Sequence, residues 1–567
     1  MTRPDREAEV IRRNNAAARV NADSIIFAGL PDEAATAMSG RLPAKRVKSV
    51  ATASEVLALS ESGTTLKTPP LVWGRDRIGI GLLKALRART FIEFTDTTSP
   101  LERVSSKSGH LVVCEEGEEL SEVIAANYAY ALRAGLCLIP EVDKGRSEAI
   151  LERFYSLYDE RNVSQTEALE RLRGQLLNFC GDLDVPPAGS ITFITGRLPY
   201  GFAFPGTPST HLFKYPDLGI SVVNGLAAEQ PRTKGVNVAV LVDPETTDAP
   251  EIAAATKLLP ERRIFVRGYR GAGANVTDVS HMVELFPYDL LLIATHCGDA
   301  PGYRWTYQFK DSEGLDRTMV IDLAIGVGHA DSTDMVHVTQ FMYIRSLDGV
   351  DLSDEEKKNS LHIGTAMQDF FERIREKPEL EPVSKEDIPR VLSSAALKMF
   401  DDNFIALPRS LAGGSTPIVI NNACASWHRL AETFMFGNSR AYIGTLFPVS
   451  TPEAHDVVIG VLDKHYGKPL PTALWSAQRK VYGDGIRRPY VITGVYPQRL
   501  RVTHRDIPKD IARELARGAM AWRAKLKETP PDDATKIKAM KEYVEYYERE
   551  LASLRKRGPR LAPGAKG

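Results

Sequence analysis

Apolar residues along this chain fall into short runs, and stretches with a helical period lie between them. Leu71-Val-Trp, Phe91-Ile-Glu-Phe, Leu111-Val-Val-Cys and Leu136-Cys-Leu-Ile-Pro read as strands, with helical stretches near residues 76–89 and 118–134. Ahead of them, Ser24-Ile-Ile-Phe-Ala-Gly reads as a strand. Pro31 to Met38 reads as a helix with proline in its first turn, where its missing N–H has no bond to lose. A long helical region follows from about Ser147 to Asn178, interrupted near Asn162-Val-Ser-Gln. Strands alternating with helices predict a parallel sheet covered by helices.

Residues 181–234 are rich in Gly, Pro and Thr, and two apolar runs within them, Ile191-Thr-Phe-Ile-Thr and Ile220-Ser-Val-Val-Asn, read as strands. The polar stretch Glu229-Gln-Pro-Arg-Thr-Lys-Gly reads as a domain boundary. A second α/β unit then opens with a strand at Val236-Asn-Val-Ala-Val-Leu-Val, a helix from Pro250 to Leu259, a strand at Arg263-Ile-Phe-Val and a helix from Asp278 to Phe286. Residues 303–345 alternate aromatic and β-branched positions around Asp311-Ser-Glu-Gly, a hairpin signal. Helical segments are expected near 353–376, 384–403, 452–466 and 470–482, with strands at Ala441-Tyr-Ile-Gly-Thr-Leu and Tyr490-Val-Ile-Thr-Gly-Val-Tyr. The charged stretch from Ile507 to Arg557, split by Thr529-Pro-Pro-Asp-Asp, predicts a helical hairpin. The expected organisation is a flexible or helical arm (1–23), an N-terminal α/β domain (24–234), a second α/β domain (235–505) and a helical C-terminal extension (506–567).

Composition narrows the function classes. At 567 residues the chain is too long for one ordinary core. Its 72 basic and 73 acidic residues nearly cancel, which argues against a nucleic-acid binder working through gross charge. No apolar run approaches the roughly 20 residues that span a bilayer, and the charged opening residues lack the apolar core of a signal peptide. The five cysteines are few, widely spaced and form no CxxC pair, so neither a disulfide framework nor a zinc knuckle is supported. A reducing cytoplasm is the expected location.

Candidate chemistry sits at the ends of two apolar runs. Tyr288-Asp-Leu-Leu-Leu-Ile-Ala-Thr-His296-Cys-Gly298 closes on a histidine, and Pro417-Ile-Val-Ile-Asn-Asn-Ala-Cys424 closes on a cysteine. In parallel α/β sheets the carboxyl ends of strands are where ligands and chemistry gather. A thiolate needs an imidazole to take its proton, and acyl transfer needs donors for the oxyanion. His296 and Cys424 supply the first pair, and the glycine-bearing loop from Gly298 to Gly302 offers backbone N–H groups. Small neighbours, Ala423 and Ala425, leave room around the sulfur. Cys297 is a rival nucleophile, but adjacent residues of an extended strand point to opposite faces, so it is expected to face away from the site. Asp299 is a candidate for orienting the imidazole, with a solvated loop carboxylate as the plain alternative. A lone cysteine or histidine at a strand end is more often a packed structural residue than a catalytic one.

These residues carry a resemblance. His296-Cys-Gly298, Val419-Ile-Asn-Asn-Ala-Cys424, Asn438-Ser-Arg-Ala-Tyr-Ile-Gly-Thr-Leu-Phe-Pro-Val-Ser-Thr-Pro-Glu, Leu470-Pro-Thr-Ala-Leu-Trp and Tyr490-Val-Ile-Thr-Gly-Val-Tyr, in that order, resemble the CHAT branch of the caspase-like (clan CD) cysteine peptidases. The resemblance covers about residues 235–500, and Cys297 departs from the direct His-Gly of many relatives. It implies a caspase-like α/β/α sandwich in the C-terminal half, with His296 as general base and acid and Cys424 as nucleophile. The N–H groups of Gly298 and Cys424 would line the oxyanion hole. Asn422, two residues before the nucleophile, would border the pocket for the substrate side chain preceding the cut. Relatives specific for arginine carry an acid there, so Asn422 disfavours strict Arg or Lys specificity unless Asp299 or another carboxylate substitutes.

The implied function is a cytosolic cysteine endopeptidase that cleaves a partner protein through an acyl-enzyme, latent until a sensor or partner switches it on, as in bacterial antiviral defence or programmed cell death. No metal or organic cofactor is implied, and no nucleic acid or membrane partner. The N-terminal half would be regulatory. It is also open to reading as a degenerate copy, with Gly196 near the His position and Ala227 near the Cys position, although unrelated strands share such patterns. Two alternatives remain: a catalytically inactive caspase-like scaffold, and a nucleotide-binding N-terminal sheet built on Gly74-Arg-Asp-Arg-Ile-Gly-Ile-Gly81, which fits no nucleotide motif and reads as an ordinary strand-to-helix turn.

Overall fold

The computed structural model describes residues 24–39, 42–52, 54–56, 58, 69–100, 102–157, 163–214, 217–230, 235–329, 336–352, 354–375, 380–408, 410–503 and 506–557. The arm expected at 1–23, the helix interruption near Asn162 and part of the expected boundary at 229–235 lie outside them.

The fold is mixed α/β, and its centre is one ten-stranded sheet to which both halves of the chain contribute. Its strands are β1 (His110–Glu115), β2 (Gly135–Ile139), β3 (Ser190–Thr195), β4 (Ser209–Phe213), β5 (Val238–Asp243), β6 (Phe265–Arg270), β7 (Leu290–Ile293), β8 (Ile418–Asn421), β9 (Ala441–Thr445) and β10 (Tyr490–Gly494). Their order across the sheet is β6-β5-β7-β8-β9-β10-β4-β3-β1-β2. Strands β5 to β9 are mutually parallel, as are β1 to β4, and β10 runs antiparallel to β9. Each half therefore repeats one order, with the second strand outermost, then the first, third and fourth.

Burial on both faces explains why these strands read as continuous apolar runs. Val238, Val240 and Val242 of β5 join one core cluster, while Ala239 and Leu241 join another on the opposite face. Leu291 and Ile293 of β7 alternate with Leu290 and Leu292 in the same way. The covering helices are α1 (Glu119–Ala131), α2 (Lys144–Ser156), α3 (Val163–Cys180), α4 (Leu218–Ala228), α5 (Pro250–Glu261), α6 (Val276–Leu285), α7 (His428–Phe436), α8 (Thr451–Ile459) and α9 (Leu470–Tyr482). Two long helices, α10 (Ile507–Glu528) and α11 (Ala534–Arg557), form the expected hairpin. Arg267 and Tyr269 of the edge strand β6 bond Glu550 of α11, so the hairpin helix covers that edge. No helix among the described residues is long and apolar enough to cross a membrane.

The halves meet where β10 approaches β4, with Thr493 opposite His211. Side chains close this seam: Thr210 Oγ1 donates to the Gly494 carbonyl at 2.6 Å and His211 Nδ1 bonds the Ile492 carbonyl at 3.1 Å. The Trp427 indole packs against His211 and Phe213 and donates to Thr493 Oγ1.

Two expectations fail here. Ile220–Asn224 is not a strand but the middle of α4, whose buried Leu218, Val222 and Gly225 recur at helical spacing. The fourth strand of the N-terminal half is Ser209–Phe213 instead, so Ala227 does not stand at a strand end. Residues 384–403 are not helical: Ser384–Ile388 pairs with Gly302–Lys310 in a five-stranded antiparallel sheet, and Ala396–Lys398 pairs with Cys297–Gly298. That five-stranded sheet, built on the hairpin expected around Asp311, hangs from the segment that follows His296. The strand-to-helix turn at Gly74–Gly81 packs as structure. A Cβ on Gly81 would lie 2.4 Å from the Trp73 ring, so glycine lets this helix close onto its strand.

Candidate active site

The sheet order places the candidate pair. In the C-terminal half the chain leaves β5 toward β6 on one side, and β7 and β8 follow on the other. The crevice beyond the ends of β5 and β7 is thus a topological switch point, where open α/β sheets bind ligands. His296 lies in it. Strands β7 and β8 are neighbours with Ile293 opposite Asn421. His296 and Cys424 each stand three residues beyond that pair, so the two chain ends leave the sheet side by side. The Asn422 N–H donates to the Ile293 carbonyl at 2.8 Å and ties the two exits together.

His296 is exposed, and its Nε2 faces the Thr246 carbonyl at 3.2 Å. A ring nitrogen pointing at a carbonyl carries the hydrogen, so Nδ1 keeps the lone pair and is the nitrogen able to take a proton. The backbone behind it is anchored: Lys398 N–H donates to the His296 carbonyl at 2.9 Å, and Thr295 Oγ1 bonds Thr246 Oγ1 at 3.1 Å and the Lys398 carbonyl. Cys297, its neighbour, is buried as strand alternation predicts, and burial pushes its thiol pKa far up. Cys424 is the one cysteine of the five that is not buried.

The turn that carries Cys424 is held from several sides. Ala423 N–H donates to Asn421 Oδ1, Ser426 Oγ donates to the Asn421 carbonyl, and Thr445 Oγ1 donates to the Ala423 carbonyl. Ala425 adopts a left-handed conformation, φ 48°, where a small side chain limits the strain. The Cys424 thiol donates to the Val449 carbonyl at 3.7 Å, in the Leu-Phe-Pro-Val stretch that follows β9. Beyond it, Arg487 donates to both oxygens of Glu453 at 2.8 and 3.0 Å and to the Pro448 carbonyl. Burial would lower the Arg487 guanidinium, but Glu453 outweighs it and holds the charge, with Cys424 among the groups it senses. A cation is therefore fixed near the sulfur, which favours a thiolate.

The two expected oxyanion donors differ. The bond from Lys398 N–H to the His296 carbonyl makes Gly298 and Ala396 the next hydrogen-bonding pair of that short ladder. The Gly298 N–H thus points at the neighbouring strand. The Cys424 N–H has no partner among the described residues and stays available.

Asn422 and Asp299, expected at a substrate pocket, are engaged elsewhere. Asn422 is buried, donating to Glu251 Oε1 at 2.6 Å and accepting from the Tyr490 hydroxyl at 2.5 Å. Burial raises the Glu251 carboxyl, and the Asn422 bond opposes the rise. Asp299 accepts from Arg390 at 2.9 Å and from the Ala395 N–H at 3.2 Å, and its own N–H donates to the Tyr155 hydroxyl at 2.9 Å. Arg390 also bonds both oxygens of Glu152, so α2 of the N-terminal half braces the segment after His296.

Sequence reasoning missed Thr246, Glu251, Arg487 and Glu453. Only Glu453 had a local signal, the Ser450-Thr-Pro-Glu453 capping box at the start of α8. Among the described residues no group of three or more His, Cys, Asp and Glu could hold a metal ion. No protein-family model matches the chain, and no curated protein matches it.

Proposed function

We propose that the chain is a cysteine endopeptidase of the CHAT branch of the caspase-like peptidases, acting in the cytoplasm on a partner protein. The observation that carries the reading is the register of β7 and β8, which sets an exposed imidazole and the one unburied thiol at equal distances past a shared pair, at a switch point. Strand, helix and strand then follow Cys424 in the order that the resemblance implies.

In this chemistry His296 Nδ1 takes the Cys424 proton, while the Thr246 carbonyl stabilises the imidazolium through Nε2–H. The thiolate adds to the scissile carbonyl carbon, and the oxyanion forms toward the Cys424 N–H. Collapse breaks the C–N bond, with His296 returning its proton to the leaving amine. Water deprotonated by His296 then cleaves the thioester, releasing the new carboxyl end and the thiol. In the resting arrangement the thiol bonds the Val449 carbonyl rather than the imidazole, which supports a latent enzyme switched on by a sensor or partner, such as an antiviral defence or cell-death system would use. A catalytically inactive scaffold is the competing reading. A thiol-reactive peptidyl probe separates the two: labelling confined to Cys424 and lost in His296→Ala supports the peptidase, while equal labelling of Cys297 or indifference to His296 sinks it.

A further inference from the structure

The N-terminal half repeats the strand order of the C-terminal half, so it has a switch point of its own, beyond the ends of β1 and β3. Glu115 spans it, accepting from the Tyr200 hydroxyl at 2.7 Å, the Gly196 N–H at 2.5 Å and Thr195 Oγ1 at 3.2 Å. Gly196 stands just past β3, as His296 stands past β7, and Lys214 stands just past β4, as Cys424 stands past β8. Neither residue can do the His296–Cys424 chemistry. Yet the place has not closed: a cavity of about 1150 Å³ opens over these strand ends, lined from the loops after β1, β2, β3 and β4.

Its walls say what it would hold. One side is apolar, with Leu120 (64% exposed) and Ile124 of α1 facing Leu218 and Ile220 of α4. The other side carries five carboxylates, Glu118, Glu141, Asp143, Asp217 and Glu432. The three cations of the lining are paired within the fold: Lys214 with Glu141 at 2.7 Å, Arg197 with Glu148 at 3.1 Å and Lys144 with Glu148 at 4.0 Å. The excess field is negative, and an apolar wall beside it fits side chains of alternating character. Glu432 comes from α7, whose first residue follows Cys424 by four, so the cavity reaches the helix behind the candidate nucleophile.

We infer that this cavity is a peptide-binding cleft without catalysis, which receives a basic segment of a partner protein bearing arginine or lysine between apolar residues. The choice of a peptide over another cation rests on the peptidase reading of the matching cleft, while the existence of the site rests on the cavity.

The test uses full-length Cys424→Ala protein and two fluorescein-labelled hexapeptides, one alternating arginine with leucine and one alternating glutamate with leucine. Saturable binding of the arginine peptide alone is expected, about tenfold weaker in a double variant, Asp143→Asn with Glu432→Gln, and weakened again by Leu120→Ser. Asparagine retains the N-cap of α2, so the double variant should keep its fold. Equal binding of both peptides, or an undiminished affinity in the double variant, overturns the proposal. If the peptidase reading fails, the probe leaves Cys424 unlabelled in the parent protein while the arginine peptide still binds; if only the cleft fails, the reverse is seen.

Discussion

The two halves of the sheet share a strand order and differ in what stands past the strand ends. In the C-terminal half those ends are bound tightly to one another, through Thr246, Thr295, Asn422 and Lys398, and they present an imidazole and a thiol. In the N-terminal half a buried carboxylate, Glu115, and a buried ammonium, Lys214, hold the same positions under an open cavity. The contrast teaches that topology supplies a place for chemistry, and that a few side chains decide whether the place reacts or only binds. Glu115 also shows the cost of a polar group there: burial raises its carboxyl pKa, and three hydrogen bonds are needed to hold it.

The largest expected effect breaks the comparison at its chemical end. Cys424→Ala should abolish peptidyl-probe labelling, and His296→Ala should slow it by about 10²–10⁴-fold, whereas Cys297→Ser should leave the rate near that of the parent. Measured second-order labelling rates decide this.

Next in size is the seam between the halves. Trp427→Ala removes a fully buried ring that packs on His211 and Phe213 of β4 and bonds Thr493 of β10. A loss of about 3–5 kcal/mol is expected in denaturant unfolding, with both halves destabilised together because they share one sheet. Unfolding of the N-terminal half alone would show that the sheet is less cooperative than its continuity suggests.

Acid should distinguish the halves by a smaller amount. Burial pushes His211 down to about 4 and His110 down to about 3, so both stay neutral in the folded protein where an unfolded chain would protonate. The unfolded state then binds more protons as pH falls from about 6.5, and stability declines toward pH 4, by up to about 3 kcal/mol for His211. Unfolding free energies between pH 7 and 4 should show this slope, and His110→Asn should reduce it.

The smallest effect tests the brace between the halves. Tyr155→Phe removes the acceptor of the Asp299 N–H and should cost about 1 kcal/mol, read as a drop in melting temperature. A slower labelling rate at Cys424 in this variant would show that α2 also tunes the site.

Much of this was legible in the sequence because it is local. Strands buried on both faces read as apolar runs, and the 507–557 hairpin was announced by its Pro-Pro break. Alternation correctly separated exposed His296 from buried Cys297. The failures are also physical. Ile220–Asn224 is apolar enough for a buried strand, and only its packing at helical spacing against the sheet made it α4. Residues 384–403 have mixed propensity, and strand partners more than 80 residues away in Gly302–Lys310 decided their conformation. Asp299 and Asn422 were read as substrate contacts from their proximity to the pair, but partners distant in sequence, Arg390, Glu251 and Tyr490, took their polar atoms.

By itself, then, the sequence determined the α/β alternation, the identity of the two reactive side chains and the strands that end in them, because apolar period and residue chemistry are properties of short segments. Only the tertiary structure decided that both halves share a single sheet, that Thr246 orients the imidazole, that Arg487 and Glu453 flank the sulfur, and that a second, unreactive cleft stays open. Each of these rests on contacts between residues far apart in the chain, and no local pattern encodes which distant partner a polar group will find.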